Sequence, residues 1–281
     1  MKEVFGAGNF LSLVMLGLLA VTVVFGVLTY IRTMQSLKKQ RQLFQHTYGI
    51  QQKWDPDASL RAMLDIAHKK FGVPTKGMIH LGAHQAEELY LYQEKGFKHI
   101  LWVEANPTHK DALLRHTQNH QGSRVAIFAA SDGAGEAVLH VPVAKTSRAS
   151  LLRPKNLTKA FEGMEEQQKL PVIKKSLDSF LSEMSDKPAY NVMLLDIQGA
   201  KLDALKGSIN TLQSIDVVLT EFCWNTSYYE GNCSLDALDA FLKEQGFVRL
   251  ETRVNHRLTD GDALYIKKHL VENKLHVEKK A

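Results

Sequence analysis

The chain has 281 residues and a formal net charge of +5, and 44% of its residues are hydrophobic. Residues 1–45 carry net +4 and residues 267–281 carry net +3, which leaves −2 for the middle of the chain. Because the basic residues lie at the two ends and not on the body, this distribution argues against a nucleic-acid partner. The two cysteines exclude a disulfide-rich scaffold and a four-cysteine zinc site.

The first predicted element is an uncharged, apolar segment at residues 10–31. It is long enough to cross a hydrocarbon layer of about 30 Å as a helix. A cleaved signal peptide is the alternative, but the apolar run exceeds the usual length and no small-x-small site follows it promptly. Four basic residues follow within residues 32–41, whereas one Lys and one Glu precede the segment. The positive-inside rule therefore predicts a single-pass membrane protein whose C-terminal body is cytosolic.

The remaining chain divides by composition. The segment after the apolar run is polar, rich in Gln and free of Pro, and Asp55-Pro56 then precedes the helical apolar spacing of Leu60, Met63 and Leu64. The predicted organisation is an N-terminal tail at residues 1–9, a transmembrane helix at 10–31, a juxtamembrane stalk at 32–54, a globular domain at 55–268 and a solvated C-terminal tail at 269–281.

Within the globular domain, short apolar runs alternate with amphipathic stretches. The predicted strands are residues 78–83, 99–105, 124–131, 137–143, 192–197, 216–222, 247–254 and 262–268. The predicted helices are residues 55–72, 86–96, 107–120, 200–213 and 234–246. This alternation predicts an α/β fold with a mostly parallel sheet covered on both faces. The last two strands have no helix between them, which predicts an antiparallel hairpin at one edge.

The turn after the first strand, "HLGAH", points to a ligand. Gly82 permits a tight turn with close backbone approach, and Glu104 ends the second strand 22 positions later. That spacing is typical of an acid that accepts hydrogen bonds from ribose hydroxyls. The second and third glycines of a dinucleotide fingerprint are missing, which disfavours a nicotinamide-dependent oxidoreductase. A nucleoside cofactor without phosphate fits better, and the alternative is a plain βαβ turn with an incidental Glu.

Several ordered blocks make the resemblance specific: "GAHQAE", "VEANP", "AASD", "RASLLRP", "LDIQGA", "VVLTEF" and "GDALYIKK". Over about residues 71–268 the chain resembles the FkbM family of S-adenosylmethionine-dependent methyltransferases. The resemblance implies a class I Rossmann-like methyltransferase sheet with the last strand antiparallel. It also implies S-adenosylmethionine as the cofactor and O-methylation of a sugar, a polyketide or another small hydroxyl compound.

The resemblance also implies which residues bind the cofactor. They follow the ends of four strands and are Gly82, Ala83, His84, Glu104, Ala105, Ser131, Asp132, Asp196 and Gln198. Ser131 and Asp132 match the segment that lies against the adenine ring. Asp196 and Gln198 match the place where the methionine moiety and the acceptor meet.

Two residues depart from the family pattern. Ala86 replaces a glycine of the first turn, and Lys201 stands where the family usually has Glu. The Lys reverses the local charge, so a second hypothesis is a catalytically weak relative that acts as a binding or scaffolding module.

Methyl transfer to a hydroxyl needs alignment and a group that takes the proton. His84, Asp196 and Glu221 are the candidate bases, because each follows a strand end. His84 has an alternative role as a helix cap, Asp196 as a ligand of the methionine amino group, and Glu221 as a salt-bridge partner of Lys201. A divalent metal held by all three candidate bases is a further alternative.

The segment after the fifth strand of the parallel sheet carries aromatic residues that either wall an acceptor pocket or cover the sheet edge: Phe222, Trp224, Tyr228 and Tyr229. Cys223 is predicted to be a free, packed thiol. The sequence thus predicts a membrane-tethered methyltransferase acting on a small-molecule, glycan or lipid-linked acceptor, with the scaffolding module as the alternative.

Overall fold

The computed structural model describes residues 56–156, 161–223, 228–255 and 260–278. The predicted transmembrane helix at residues 10–31 and the stalk at 32–54 lie outside these ranges. Within them, no helix combines the length and hydropathy of a bilayer-crossing segment.

The helices lie between strands, as the alternating pattern predicts. They are α1 (Pro56–Asp65, continued by a π-helical turn Ile66–Lys70), α2 (Leu89–Glu94), α3 (Lys110–Thr117), α4 (Leu177–Ser182), α5 (Lys201–Lys206), α6 (Ile209–Leu212), α7 (Leu235–Glu244) and α8 (Lys268–Glu278). A short 3-10 turn, Pro107–His109, precedes α3, and a second one, Thr146–Arg148, follows the fifth strand.

The strands are β1 (Gly77–Leu81), β2 (His99–Glu104), β3 (Ser123–Ile127), β4 (Ala129–Ala130), β5 (Gly135–Pro142), β6 (Gln167–Lys175), β7 (Val192–Leu195), β8 (Val217–Cys223), β9 (Phe247–Val254) and β10 (Asp260–Lys267). Seven of these form a sheet in the order β3-β2-β1-β7-β8-β10-β9. The five strands from β3 to β8 are parallel, and β10 runs antiparallel to both of its neighbours.

The predicted Rossmann-like arrangement is therefore present, with one correction. The antiparallel strand was expected at the edge, but β10 lies inside the sheet and β9 forms the edge. The hairpin folds back so that its second strand inserts between β8 and its first strand. As a result the first residues of β10 lie beside the last residues of β8, with Asp262 opposite Glu221.

A second sheet, in the order β4-β6-β5, differs from the sequence prediction. The predicted strand at residues 124–131 divides at Phe128, because β4 leaves the main sheet and pairs with β6. No strand was predicted at β6, since its sequence "QQKLPVIKK" is largely polar and lies on a sheet with one exposed face. The predicted strand at 137–143 is β5, which pairs antiparallel with β6.

Three helical regions also differ from the prediction. The helix predicted at 200–213 breaks at Gly207, where a Cβ would lie 1.9 Å from the carbonyl oxygen of Ser131. Helix α4 is additional, and Ser176 caps it by accepting a hydrogen bond from Ser179 N. The segment predicted as a tail forms α8, and its Leu270 and Val271 pack against the core.

The core of the main sheet consists of its central strands. All residues of β1 and β7 are buried, and β2 and β8 are buried except at one position each. This explains their continuous apolar sequences, since helices cover both faces of a parallel sheet. After β1 the chain forms β2 on one side of β1, and it later returns to form β7 on the other side of β1. The switch in strand order therefore lies between the carboxyl ends of β1 and β7, where open α/β sheets bind ligands.

Candidate active site

Two adjoining cavities lie at the carboxyl ends of the parallel strands. The small crevice has a volume of about 60 Å³ and is lined by residues that follow β1, β2 and β7, including Gly82, His84, Glu104, Ala105 and Asp196. The large cavity has a volume of about 400 Å³ and lies beyond β7, β8 and the start of β10. Asp196 lines both cavities, so it stands where contents of one would meet contents of the other.

The turn after β1 forms one end of the small crevice. Gly82 has a φ of +91°, and the amides of Gly82 and Ala83 both donate to the carbonyl oxygen of Val103, at 2.8 and 3.0 Å. Ala83 is buried and lies beneath the crevice, not on its lining. Ala86 has a φ of +62°, in the left-handed region. A glycine at this position avoids a penalty of roughly 1 to 2 kcal/mol, so replacement of the family's glycine introduces strain and not merely a narrower turn.

The carboxylate of Glu104 links this turn to the one after β2. Its Oε2 accepts from His84 N at 2.8 Å and its Oε1 accepts from Asn106 N at 2.7 Å. The side chain is buried, and burial raises its pKa while the backbone hydrogen bonds oppose that shift. Each carboxylate oxygen has a second lone pair, so Glu104 retains the capacity to accept hydroxyl hydrogen bonds from a ligand in the crevice.

The His84 side chain lies on the crevice side of the site. Its Nδ1 hydrogen-bonds to the Glu87 carboxylate and its Nε2 lies 3.1 Å from Thr146 Oγ1. The hydrogen bond to Glu87 raises the pKa of His84, against the opposing effect of burial. His84 therefore acts here as a link between the β1 turn and the segment that follows β5, and it does not line the large cavity.

The segment that follows β5 covers the small crevice. Thr146, Ser147 and Ala149 line it opposite Gly82 and Glu104. The volume of the crevice, about 60 Å³, is much smaller than that of the adjoining large cavity. The residues around the crevice have the chemistry of a nucleoside site.

Asp196 and Glu221 form the centre of the large cavity. Strands β7 and β8 pair in parallel with Leu195 beside Thr220, so the next residues along both strands, Asp196 and Glu221, are neighbours. Burial raises the pKa of Asp196 well above its ordinary value, and the charge of Glu221 and a hydrogen bond to it raise it further. When ionised, a carboxylate whose pKa is raised in this way is a suitable acceptor for a proton from a ligand hydroxyl.

Gln198 and Lys201 support this carboxyl pair. Gln198 Nε2 donates to Glu221 Oε2 at 2.8 Å, and Ser150 Oγ donates to the Gln198 carbonyl oxygen at 2.6 Å. The buried ammonium of Lys201 donates to Ile197 O at 2.7 Å, and its charge partly offsets the rise in the pKa of Asp196. Within the described part of the chain no ion pair joins Lys201 to Glu221, so the salt bridge considered from the sequence is not formed.

Four of the predicted cofactor residues are absent from the lining of the small crevice: Ala83, Ser131, Asp132 and Gln198. Gln198 lines the large cavity instead. Ser131 is buried, and its amide donates to Lys175 O of β6, whereas Asp132 is exposed and accepts a hydrogen bond from Ser131 Oγ. Because β4 pairs with β6, the chain leaves the main sheet after Ile127, and Phe128 and Ala130 line the crevice at this point.

Two further alternatives from the sequence are decided by the geometry. Among the described residues no group of three His, Cys, Asp or Glu side chains is arranged to hold a metal. Tyr228 and Tyr229 pack with Met164 and Cys223 in a small hydrophobic cluster and do not line the large cavity, while Trp224 lies outside the described residues. Cys223 is a buried free thiol, and burial raises its pKa to about 12.

The large cavity contains acids that the sequence analysis missed. They are Asp57, Glu88, Asp260 and Asp262, and they join Asp196 and Glu221 on its lining. Burial raises the pKa of both Glu88 and Asp262 to about 7. One signal was present in the sequence: an antiparallel strand presents its first residues where parallel strands present their last, and "DGD" at 260–262 begins such a strand.

Comparison with known proteins identifies the family of the chain. A family model described as the methyltransferase FkbM domain matches residues 80–249, from the last two residues of β1 to the first three residues of β9. A search of curated proteins gives no significant sequence match.

Solved structures resemble the chain only distantly. Among them is a Klebsiella pneumoniae protein proposed to be an O-methyltransferase, with a TM-score of 0.44, 10% identity and coverage of 76% of this chain and 81% of that one. The Burkholderia thailandensis 1,6-didemethyltoxoflavin-N1-methyltransferase, with bound S-adenosylhomocysteine, has a TM-score of 0.42, 11% identity and coverage of 75% and 79%. A Streptococcus agalactiae protein of the NADB-Rossmann superfamily has a TM-score of 0.41, 12% identity and coverage of 76% and 69%.

Proposed function

The chain belongs to the FkbM methyltransferase family, and we propose that it is a membrane-anchored enzyme that O-methylates a small acceptor. The acceptor would be a sugar, a lipid-linked compound or another molecule with a reactive hydroxyl. As a methyltransferase of this family, the chain uses S-adenosylmethionine as its cofactor. The single observation that carries the proposal is the position of Asp196, which lines both the small crevice and the large cavity and lies beside Glu221.

The small crevice has residues that fit the cofactor. Gly82 leaves the turn after β1 without a side chain, and Glu104 faces the crevice with unused lone pairs for ribose hydroxyls. The bound cofactor supplies an electrophilic methyl group on a sulfonium. Outward movement of the Thr146 segment, which separates His84 Nε2 from Thr146 Oγ1, is the change that makes room for it.

The large cavity holds the acceptor in this proposal. The acceptor hydroxyl lies against Asp196 and Glu221, whose carboxylate oxygens accept its hydrogen bond and then its proton. The bound cofactor would supply the methyl group to the hydroxyl oxygen, and Asp196 and Glu221 would hold the one proton that the hydroxyl loses. Exclusion of water by Leu194, Leu219 and Met63, which also line the cavity, strengthens these interactions.

A second candidate function is a methyltransferase-like binding or scaffolding module. Three observations favour it: the crevice of about 60 Å³, the strained Ala86 and the buried Lys201 in the place of an acid. Such a module would keep the fold and the acidic cavity but would not turn over the cofactor.

The membrane anchor belongs to this proposal and is supported by the sequence alone. The uncharged segment at residues 10–31 and the basic residues that follow it support a single-pass protein whose methyltransferase domain faces the cytosol. An anchor of this kind would keep the enzyme beside a lipid-linked acceptor. In sealed vesicles whose interior corresponds to the cytosol, added protease should leave the body uncut, and digestion of the body would reverse the assigned orientation.

Calorimetry and turnover test the proposed reaction. The full chain should bind S-adenosylmethionine and S-adenosylhomocysteine but not NAD, and it should release S-adenosylhomocysteine when supplied with a metabolite extract. Glu104→Ala should lose cofactor binding, whereas Asp196→Ala should retain binding and lose turnover. Cofactor binding without release of S-adenosylhomocysteine from any extract would favour the scaffolding module.

A further inference from the structure

The large cavity has more acidic than basic groups on its lining. Six carboxyl groups come from α1, the turn before α2, and the strands β7, β8 and β10: Asp57, Glu88, Asp196, Glu221, Asp260 and Asp262. The two basic residues on the lining, Lys145 and Arg148, both belong to the segment that follows β5. Two further cations lie nearby: the Lys201 ammonium donates to a backbone carbonyl, and Arg253, whose charge acts on Asp262, pairs with Glu251. The acids thus outnumber the cations and surround the cavity from several elements.

A buried acceptor in the same cavity lacks a donor. Gln198 is 6% exposed and lines the cavity, and its Oε1 accepts no hydrogen bond from the described residues. The orientation of this amide follows from its partner, because Nε2 donates to Glu221 Oε2 and only the nitrogen end can face a carboxylate in that way. Native proteins rarely bury such an acceptor without a partner, so the free oxygen indicates a ligand that donates.

Glu88 gives a second, independent indication. Its Oε2 is buried and accepts no hydrogen bond among the described residues. His80 Nδ1 lies 3.8 Å from this oxygen, and burial lowers the pKa of His80 to about 3, so this ring carries no charge at neutral pH. The described residues therefore give a hydrogen-bond donor neither to Gln198 Oε1 nor to Glu88 Oε2.

We propose that the large cavity binds a methyl acceptor that carries a protonated amine beside its reacting hydroxyl, as in an amino sugar or an amino alcohol. This inference rests on the proposed methyl transfer and adds the chemical class of the acceptor. An ammonium offers three donors and one positive charge, which match the unpartnered acceptors and the excess of acids. A hydroxyl group alone supplies one donor and no charge, so a neutral polyol satisfies the first requirement and not the second.

The titration of the cavity acids supports the same ligand. Burial raises the pKa of Glu88 and of Asp262 to about 7, so both groups are only partly ionised near neutrality in the empty cavity. A cation bound beside them favours their ionised forms and lowers both pKa values. Binding of an amine should therefore release protons, whereas binding of a neutral polyol should release none.

A metal ion is the competing cation. The cavity acids do not include three side chains in a metal-binding arrangement within the described ranges. An organic ammonium needs no fixed coordination geometry and spreads its donors over several acceptors, which fits carboxylates that come from separate elements. Mg²⁺ and Mn²⁺ are therefore included in the test as ligands that would contradict the inference.

The test uses the full chain, purified in detergent and saturated with S-adenosylhomocysteine. D-glucosamine, D-galactosamine and ethanolamine are each titrated against the matching N-acetyl compound, which keeps the hydroxyl groups and lacks the charge. We expect at least one amine to bind ten-fold or more tightly than its N-acetyl partner, with proton release detected by repeating the calorimetry in buffers of different ionisation enthalpy.

Glu88→Gln and Asp262→Asn should each reduce this preference several-fold and leave the affinity for S-adenosylhomocysteine unchanged. Glu136→Gln, an exposed acid on β5, is the matched control and should change neither quantity.

The outcomes separate this inference from the proposed function. Absence of S-adenosylhomocysteine binding by the folded chain would remove the methyltransferase proposal itself. If S-adenosylhomocysteine binds but no amine does, or if the N-acetyl compounds bind equally well, the acceptor class is wrong and the methyl transfer stands. Saturable binding of Mg²⁺ or Mn²⁺ that Asp262→Asn abolishes would assign the acids to a metal instead.

Discussion

The backbone at Gly82 packs directly against the backbone at Asp196. A Cβ placed on residue 82 would lie 2.1 Å from the carbonyl oxygen of Asp196 and 2.7 Å from its carbonyl carbon. No real Cβ approaches backbone atoms so closely, and the φ of +91° at Gly82 is itself unfavourable for other residues. Because residue 82 has no side chain, the turn that faces the small crevice can pack against the backbone of Asp196. This contact fixes the distance between the turn and the acid that faces both cavities.

The first prediction concerns this contact. Gly82→Ala should destabilise the chain by about 3 kcal/mol or more, because β1 and β7 must separate or the turn must rearrange. Affinity for S-adenosylhomocysteine should fall at least ten-fold. Thermal unfolding and calorimetry measure the two effects.

Gly72→Ala is the matched control, since Gly72 also has a positive φ, of +67°, but has no atom within 4 Å of an added Cβ. It should cost only about 1 kcal/mol, and equal losses in both variants would show that the contact with Asp196 is unimportant.

The second prediction concerns Glu104. In Glu104→Gln one of the two backbone amides, His84 N or Asn106 N, loses its acceptor, because an amide group has only one oxygen. The variant should bind S-adenosylhomocysteine roughly 10- to 100-fold more weakly, the usual effect of losing one or two hydrogen bonds to a charged group. Calorimetry measures the change, with Glu136→Gln as the control. Unchanged affinity would place the ribose elsewhere.

The third prediction concerns the pH dependence of turnover. Glu221 raises the pKa of Asp196 and Lys201 lowers it, while burial makes the largest contribution. If ionised Asp196 accepts the proton, kcat/KM should rise with pH through the pKa of the carboxyl pair. Glu221→Gln removes a negative neighbour, so the acid limb should move to lower pH. Lys201→Met removes a positive neighbour, so the limb should move to higher pH. Shifts in the same direction in both variants would mean that another group controls the limb.

The fourth prediction concerns stability. Burial raises the pKa of Glu88 from 4.5 to about 7, so the folded chain holds a proton that the unfolded chain loses above its own pKa. The contribution of Glu88 to the free energy of unfolding should therefore be largest below about pH 4.5 and should decline as pH rises to about 7. Glu88→Gln removes this decline. The free energy of unfolding of the variant, measured relative to that of the unsubstituted chain, should therefore increase by about 1 to 3 kcal/mol from pH 5 to pH 8. Denaturant unfolding at both pH values measures the difference. A gain that is the same at both values would contradict the assigned pKa.

Local sequence patterns were sufficient for the central part of the fold. The apolar strands around "HLGAH" and "WVEANP" lie next to each other in one βαβ unit, and their spacing alone indicated that Gly82 and Glu104 would face a common crevice. The family resemblance added Asp196 and Gln198 at the end of β7. These predictions depend on residues that are near in sequence, where periodicity and turn chemistry carry the information.

Other features required the tertiary structure. Nothing in the polar sequence of β6 indicated that it would pair with β4 and draw Ser131 and Asp132 away from the crevice. The insertion of β10 between β8 and β9 was also hidden, and it brings Asp262 opposite Glu221. The side-chain pattern of a strand identifies its buried faces but does not specify which strand lies beside it.

The sequence by itself determined the class of fold, the Gly82 turn and the acid at Glu104, because these follow from apolar periodicity and from the spacing within a single supersecondary unit. Only the tertiary structure decided that Asp196 and Glu221 lie side by side, that Glu88 and Asp262 line the same cavity, and that Thr146 and Ser147 line the crevice. Those contacts join residues far apart in the chain. Their formation depends on strand register and on the order of strands in the sheet, which are set by the packing of the whole domain.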